Sequence, residues 1–171
     1  MLSGLSSSSD LSVEQLLEKF SSGSLRQKRS LIPAVETAAD QLAAMGEAAL
    51  ASFDREGDDW AAGWILQILN RHQPAALSPL LDASGGWFST GSESDLDYST
   101  LQQALLEERF EEADRLTSAF LRQLAGEQAE RRGYVYFSEV LSIRGLDLVT
   151  IDRLWIAYSQ GRLGSQCRPV C

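Results

Sequence analysis

The sequence predicts an all-α protein. Apolar residues recur at three- and four-residue spacing in run after run, and no sustained period-two alternation marks a strand. Two of these runs open with Ser followed three residues later by Gln, the spacing of a capping box. Only 4 prolines among 171 residues leave room for helices, and a hydrophobic content of 44% is enough for a real core.

The elements follow in order. Residues 1–9 are Ser-rich, without a cationic region or long apolar stretch, and read as a frayed tail rather than a targeting signal. Ser12 with Gln15 caps a helix whose apolar face is Val13, Leu16, Leu17 and Phe20, and Gly23 stops it. Ser24 with Gln27 opens the next, and Leu31, Val35, Leu42, Met45 and Ala49 continue at helical spacing. Pro33 is expected to break this stretch or to mark a first turn, and Gly46 to break it again, giving two or three short antiparallel helices. Glu56-Gly57 closes the stretch, and Asp58-Asp59 then cap a helix with an inner face of Trp60, Trp64, Ile65, Ile68 and Leu69. The chain relaxes at Gln73-Pro74 before a short apolar piece around Leu80-Leu81. Together, residues 10–82 read as a small N-terminal helical bundle.

Residues 83–94 read as a linker, within a Gly-, Ser- and Asp-rich stretch that runs to Asp97. The adjacent Trp87 and Phe88 suggest that part of it docks on a flanking unit. In residues 95–164, Tyr98, Leu101 and Leu105 share one helical face, and Phe110, Ala113, Thr117, Phe120, Leu121 and Leu124 share another. Gly133 interrupts, Tyr134 to Val140 reads as a short extended or turn segment, and Asp147 caps a last helix carrying Leu148, Ile151, Leu154, Trp155 and Tyr158. Gly161 and Gly164 end it.

Charge and composition exclude several functions. With 24 acidic against 15 basic residues the net charge is −9, which opposes unaided binding to a nucleic-acid backbone or an anionic lipid surface. No apolar run approaches the roughly 20 residues that cross a bilayer. Cys167 and Cys171 suggest no disulfide framework, so a reducing compartment is expected. His72, the single histidine, reads as a helix C-terminal residue favoured by the dipole rather than a catalytic base. Zinc held by Cys167, Cys171 and His72 lacks a fourth ligand and any usual spacing. Gly85-Gly86 reads as linker rather than phosphate cradle, and the acidic pairs Glu107-Glu108 and Glu111-Glu112 as solvated helix faces. What remains is a binding surface: Phe110, Phe120, Tyr134, Tyr136, Phe137, Trp155 and Tyr158 are interleaved with Arg131, Arg132, Arg144, Arg153 and Arg162. An apolar floor with a cationic rim suits a flat, apolar, dianionic ligand, whereas aromatics at helical spacing are more often simply core.

At these residues the sequence resembles a known family. The run from Asp97-Tyr98 through Leu101, Leu105-Leu106, Phe110, Ala113-Asp114 and Thr117 is similar to the opening of the tetrapyrrole-binding domain of the genomes-uncoupled-four family. So are Asp147-Leu148, Thr150-Ile151-Asp152-Arg153-Leu154-Trp155 and Tyr158-Ser159, followed by Gly161-Arg162. The phrase from Arg132 to Phe137 resembles the form this region takes in marine cyanobacterial members. Leu31-Ile32-Pro33 and the Trp60–Leu69 helix resemble, less strongly, the N-terminal bundle of cyanobacterial members.

The resemblance implies an all-helical, non-enzymatic regulator of chlorophyll synthesis. It would bind protoporphyrin and magnesium protoporphyrin in a cupped cavity, with no protein ligand needed on the magnesium. It would stimulate magnesium chelatase together with that enzyme's large porphyrin-binding subunit. The implied setting is a cyanobacterial cytoplasm with loose association to photosynthetic membranes. By position, Leu105, Phe120, Leu121, Trp155 and Tyr158 match apolar positions that line or back the cavity, each with core as the plainer alternative. The resemblance would set Arg162 against a propionate, whereas a helix-end arginine is the simpler reading. Where the family continues after Tyr-Ser-x-Gly-Arg with Phe-Gly-Phe-Ser, this chain reads Leu163-Gly164-Ser165-Gln166-Cys167-Arg168-Pro169-Val170-Cys171. Residues 165–171 therefore read as a divergent tail, and 95–164 as a domain cut short near its middle by a frameshift or early stop. A cut domain would leave inner faces such as Trp155 partly exposed. The alternative is a helical protein-interaction fragment with little or no pigment binding; an enzyme of unknown type has no residues to nominate.

Overall fold

Every regular element is a helix, and no strand occurs among the described residues. The computed structural model describes residues 11–55, 59–81 and 87–162. The tails expected at 1–9 and 165–171, the Glu56-Gly57 stop, the Asp58-Asp59 cap, Gly85-Gly86, Gly164 and both cysteines lie outside the described residues or their side chains. The chain divides into two compact units, residues 1–80 and 81–171.

The first unit contains α1 (Val13–Ser22), α2 (Leu25–Thr37), α3 (Ala39–Met45), a 3-10 turn (Gly46–Leu50), α4 (Asp59–His72) and most of α5 (Pro74–Leu81). Both expected capping boxes form. Gln15 N–H donates to Ser12 Oγ while Ser12 N–H donates to Gln15 Oε1, and Ser24 with Gln27 repeats the exchange. Gly23 caps α1, and Gly46, at φ +56, ends α3 in a conformation that costs glycine least. Pro33 does not break the chain: it sits inside α2, which runs on to Thr37, where the Thr37 hydroxyl donates to the Pro33 carbonyl. Helices tolerate such a proline where packing outweighs the lost donor, and Val35 beside it is fully buried.

The aromatic centre of this unit is Phe20, whose ring meets Phe53 at 6.2 Å and Trp60 at 5.7 Å, both edge to face. α4 differs from the one-faced helix that its spacing predicts. Residues 60–69 are buried without a break, Gln67 among them. A helix apolar on all sides belongs in a core, and the alanines and glycine between the large residues of α4 let neighbours approach closely. Arg71 ends it with its guanidinium 5.0 Å from the Trp64 ring and 3.1 Å from Glu36. His72 follows in the last turn, exposed, at the helix C-terminus.

The second unit contains α6 (Ser99–Leu106), α7 (Phe110–Ala125), α8 (Glu127–Arg132), α9 (Phe137–Val140) and α10 (Gly145–Tyr158). α6 is its pivot, packed against both α7 and α10 with Leu101, Gln102, Ala104, Leu105 and Leu106 buried. Residues 87–94 do not run free as a linker. Trp87 and Phe88 are buried, the Phe88 ring meets Tyr158 at 5.6 Å, and the Thr150 hydroxyl donates to the Gly91 carbonyl at 2.7 Å. Gly133, at φ +84, closes α8 as expected, and the segment after it holds the single turn α9 rather than an extended strand.

Candidate functional site

α7 is strongly amphipathic, yet Ala113 is its one buried residue. Leu116, Thr117, Phe120, Leu121 and Leu124 are all half-buried. The helix is held from below rather than covered. Its start is fixed by the turn from α6, where Arg109 N–H donates to the Ala104 carbonyl at 2.8 Å and the Arg109 side chain pairs with Glu107 and Glu112. Those two carboxylates keep the Arg109 guanidinium above its ordinary pKa, Glu112 contributing most.

α10 reaches the same face. Trp155 Nε1 donates to Thr117 Oγ1 at 2.9 Å, and its ring stacks on Phe110 at 6.3 Å with planes 26° apart. Phe120 and Leu121 lie one turn beyond Thr117 on α7. Phe120 meets the Tyr98 ring at 4.9 Å with the planes inclined at 64°. The structure therefore gathers Phe120, Leu121 and Trp155 on a half-open apolar surface with aromatic backing.

The other three candidates stand elsewhere. Leu105 is completely buried and Tyr158 is 1% exposed, so both are core and do not line the surface. Tyr158 Oη accepts from Gln102 Nε2 at 3.3 Å, and burial pushes its phenol well above the ordinary value despite that bond. Arg162 is exposed beyond the end of α10, and among the described residues no hydrogen bond or ion pair draws its side chain toward Trp155.

Two arrangements escaped the sequence reading. Asp147 is not the cap of α10: the helix starts at Gly145, and the Asp147 carboxylate is completely buried within its first turn. It accepts from Tyr98 Oη at 2.8 Å, from Ser94 Oγ at 2.9 Å and from Ser92 Oγ. Burial pushes this carboxyl up, but the hydroxyls of Ser92, Tyr98 and Ser94 and the Glu93 backbone more than offset it and hold it below the usual value. Burial and the Asp147 charge together push the Tyr98 phenol well above its ordinary value. The second arrangement is a loop braced by Arg132, which donates to both Glu139 oxygens at 2.8 and 2.6 Å while lying over the rings of Tyr134 and Tyr136 at 5.2 and 4.3 Å. This brace leaves Phe137 86% and Leu141 82% exposed. The Arg-aromatic interleaving pointed to this region, but nothing in the spacing gave the pairing of Arg132 with Glu139.

Among the described residues no group of three or more His, Cys, Asp or Glu is placed to hold a metal ion, and no helix is long and apolar enough to cross a membrane.

Residues 91–168, which contain this surface, match the family model described as GUN4-like. The chain is 40% identical over 100 residues to a Ycf53-like protein of Synechocystis sp., covering 58% of this chain and 39% of that one. It is 46% identical over 67 residues to the chloroplastic tetrapyrrole-binding protein of Arabidopsis thaliana, covering 39% of this chain and 25% of that one. A ycf53 protein of Cyanidium caldarium is 35% identical over 103 residues, 44% of its length. The chain thus spans less than half the length of these curated relatives. The resemblance carried by the Tyr98–Thr117 and Asp147–Arg162 motifs holds for the second helical unit, where residues 91–168 match the GUN4-like family model.

Proposed function

We propose that this protein is a non-enzymatic porphyrin-binding regulator that stimulates magnesium chelatase in chlorophyll synthesis, with protoporphyrin and magnesium protoporphyrin as its ligands. The observation that carries the reading is the uncovered face of α7. A strongly amphipathic helix normally buries its apolar stripe, and here Phe120, Leu121 and the neighbouring Trp155 remain half-open in a GUN4-like domain. The name of the Arabidopsis relative, a tetrapyrrole-binding protein, supports the choice of ligand.

The physics of such binding needs no reacting residue. A macrocycle laid on the indole and phenyl rings removes apolar surface from water at about 25 cal/mol per Å², and stacked or edge-on ring contacts add about 0.5–1.5 kcal/mol per pair. Trp155 is fixed in orientation by its bond to Thr117, which limits the ordering cost of association. The partner would be the large porphyrin-binding subunit of the chelatase, and the setting a cytoplasm beside photosynthetic membranes.

Titration of the full chain with deuteroporphyrin tests the reading. Saturable binding with a red-shifted, sharpened Soret band is expected, together with faster magnesium insertion when the chain is added to purified chelatase subunits. An unchanged spectrum at high micromolar protein contradicts it. The nearly complete exposure of Phe137 and Leu141 favours a second reading, a helical protein-interaction module that binds no pigment. Capture of the chelatase large subunit without any Soret change would support that one.

A further inference from the structure

Asp147 and its partners have no part in the contacts proposed above. A completely buried carboxylate is costly unless it is compensated, and among the described residues no cation pairs with this one. The compensation comes from hydroxyls: Ser92, Ser94 and Tyr98, all from the segment that precedes α6, converge on its two oxygens across about fifty residues of sequence. The position of Asp147 in the first turn of α10 adds the favourable end of the helix dipole.

Tyr98 links this cluster to the apolar face. Its hydroxyl is held by Asp147 at 2.8 Å, and its ring lies against Phe120 at 4.9 Å. The ring is completely buried, whereas Phe120 is half-open. One carboxylate on α10 therefore fixes the ring that supports the aromatic residue offered by α7. We propose that Asp147 is a positioning residue for the pigment face, acting through Tyr98 to set the orientation of Phe120.

The proposal rests on the porphyrin reading for its ligand but not for its geometry, and the two can fail separately. The full chain is compared with Asp147→Asn and Tyr98→Phe. Two readouts are taken: the proton NOE between the rings of residues 98 and 120, and the affinity for deuteroporphyrin from the Soret shift. The wild type should show the NOE. Tyr98→Phe keeps the ring and loses only the tether, so a weakened NOE and about tenfold weaker binding are expected, in line with loss of one hydrogen bond to a charged group. Asp147→Asn should do at least as much, and the double variant should be no worse than Asp147→Asn alone, because the pair acts as a unit. A merely structural carboxylate would lower the unfolding midpoint while leaving the NOE and the affinity of the folded protein intact, and that result overturns the proposal. So does a lost NOE with unchanged affinity. If Asp147→Asn fails to fold, Tyr98→Phe decides by the same criteria. If the wild type gives no Soret shift, the pigment reading fails, and the NOE alone upholds or overturns the positioning of Phe120 by Asp147.

Discussion

Two helices of similar length behave in opposite ways. α4 is buried without interruption from residue 60 to 69, while α7, two residues longer, buries Ala113 alone. Both are rich in apolar residues. In α4 these surround the axis, so the helix is committed to a core. In α7 they form one stripe opposed by Glu111, Glu112, Asp114 and Arg115, and that stripe is supported at its edges by Tyr98 and Trp155 without being closed over. A stripe left half-open at aromatic residues is where the molecule can gain free energy from something other than itself.

The contrast predicts different costs for the same kind of truncation. Ile65→Ala or Leu69→Ala in α4 should lower unfolding free energy by about 2–5 kcal/mol through cavity formation, with no effect on porphyrin affinity in the folded fraction. Phe120→Ala in α7 should cost much less stability and weaken deuteroporphyrin binding by more than tenfold. Urea denaturation read beside Soret titration separates the two effects; equal stability losses in both helices would erase the distinction.

Tyr158→Phe sharpens the division between lining and core residues. It deprives Gln102 Nε2 of its buried acceptor, which should cost about 1–3 kcal/mol, while affinity stays within twofold. Trp155→Phe should show the reverse balance: a small stability loss, and a clear loss of affinity as the Thr117 tether disappears.

Stability against pH probes the support beneath the face. Asp147 has a depressed folded pKa, so its contribution is complete above the ordinary unfolded value of about 3.9 and is lost as pH falls through the lower folded value. Tyr98 and Tyr158 have raised folded values, so their contributions hold below about pH 10 and are lost as pH rises beyond it, because the unfolded phenols release their protons first. Urea midpoints across pH should therefore fall off on both flanks. Asp147→Asn should flatten the acid flank, and Tyr98→Phe should soften the alkaline one. The smallest effect is expected at Arg132, where Arg132→Gln should leave the midpoint nearly unchanged but alter the near-ultraviolet signal of Tyr134 and Tyr136.

What could be read from the sequence was local. The capping boxes at Ser12 and Ser24 and the stops at Gly23, Gly46 and Gly133 depend on residues a few positions apart, and each formed as expected. The motifs around Tyr98 and Trp155 carried the family correctly. Tertiary context decided the rest. Pro33 looks like a break until packing around Val35 keeps α2 intact. Asp147 reads as a cap because its partners Ser92 and Ser94 lie 55 and 53 residues away. Of the six pigment candidates, Phe120, Leu121 and Trp155 fall on the half-open face, Leu105 and Tyr158 are core, and Arg162 stands apart. Helical spacing alone cannot separate a face that meets a neighbouring helix from one that stays open.

A deuteroporphyrin titration of the wild-type chain beside Phe120→Glu puts the half-open face of α7 to the test. A saturable red shift of the Soret band in the wild type, abolished by Phe120→Glu with the helical circular dichroism unchanged, is the expected result. Equal binding by both proteins, or by neither, would mean that the uncovered stripe between α7 and Trp155 is not where a porphyrin sits.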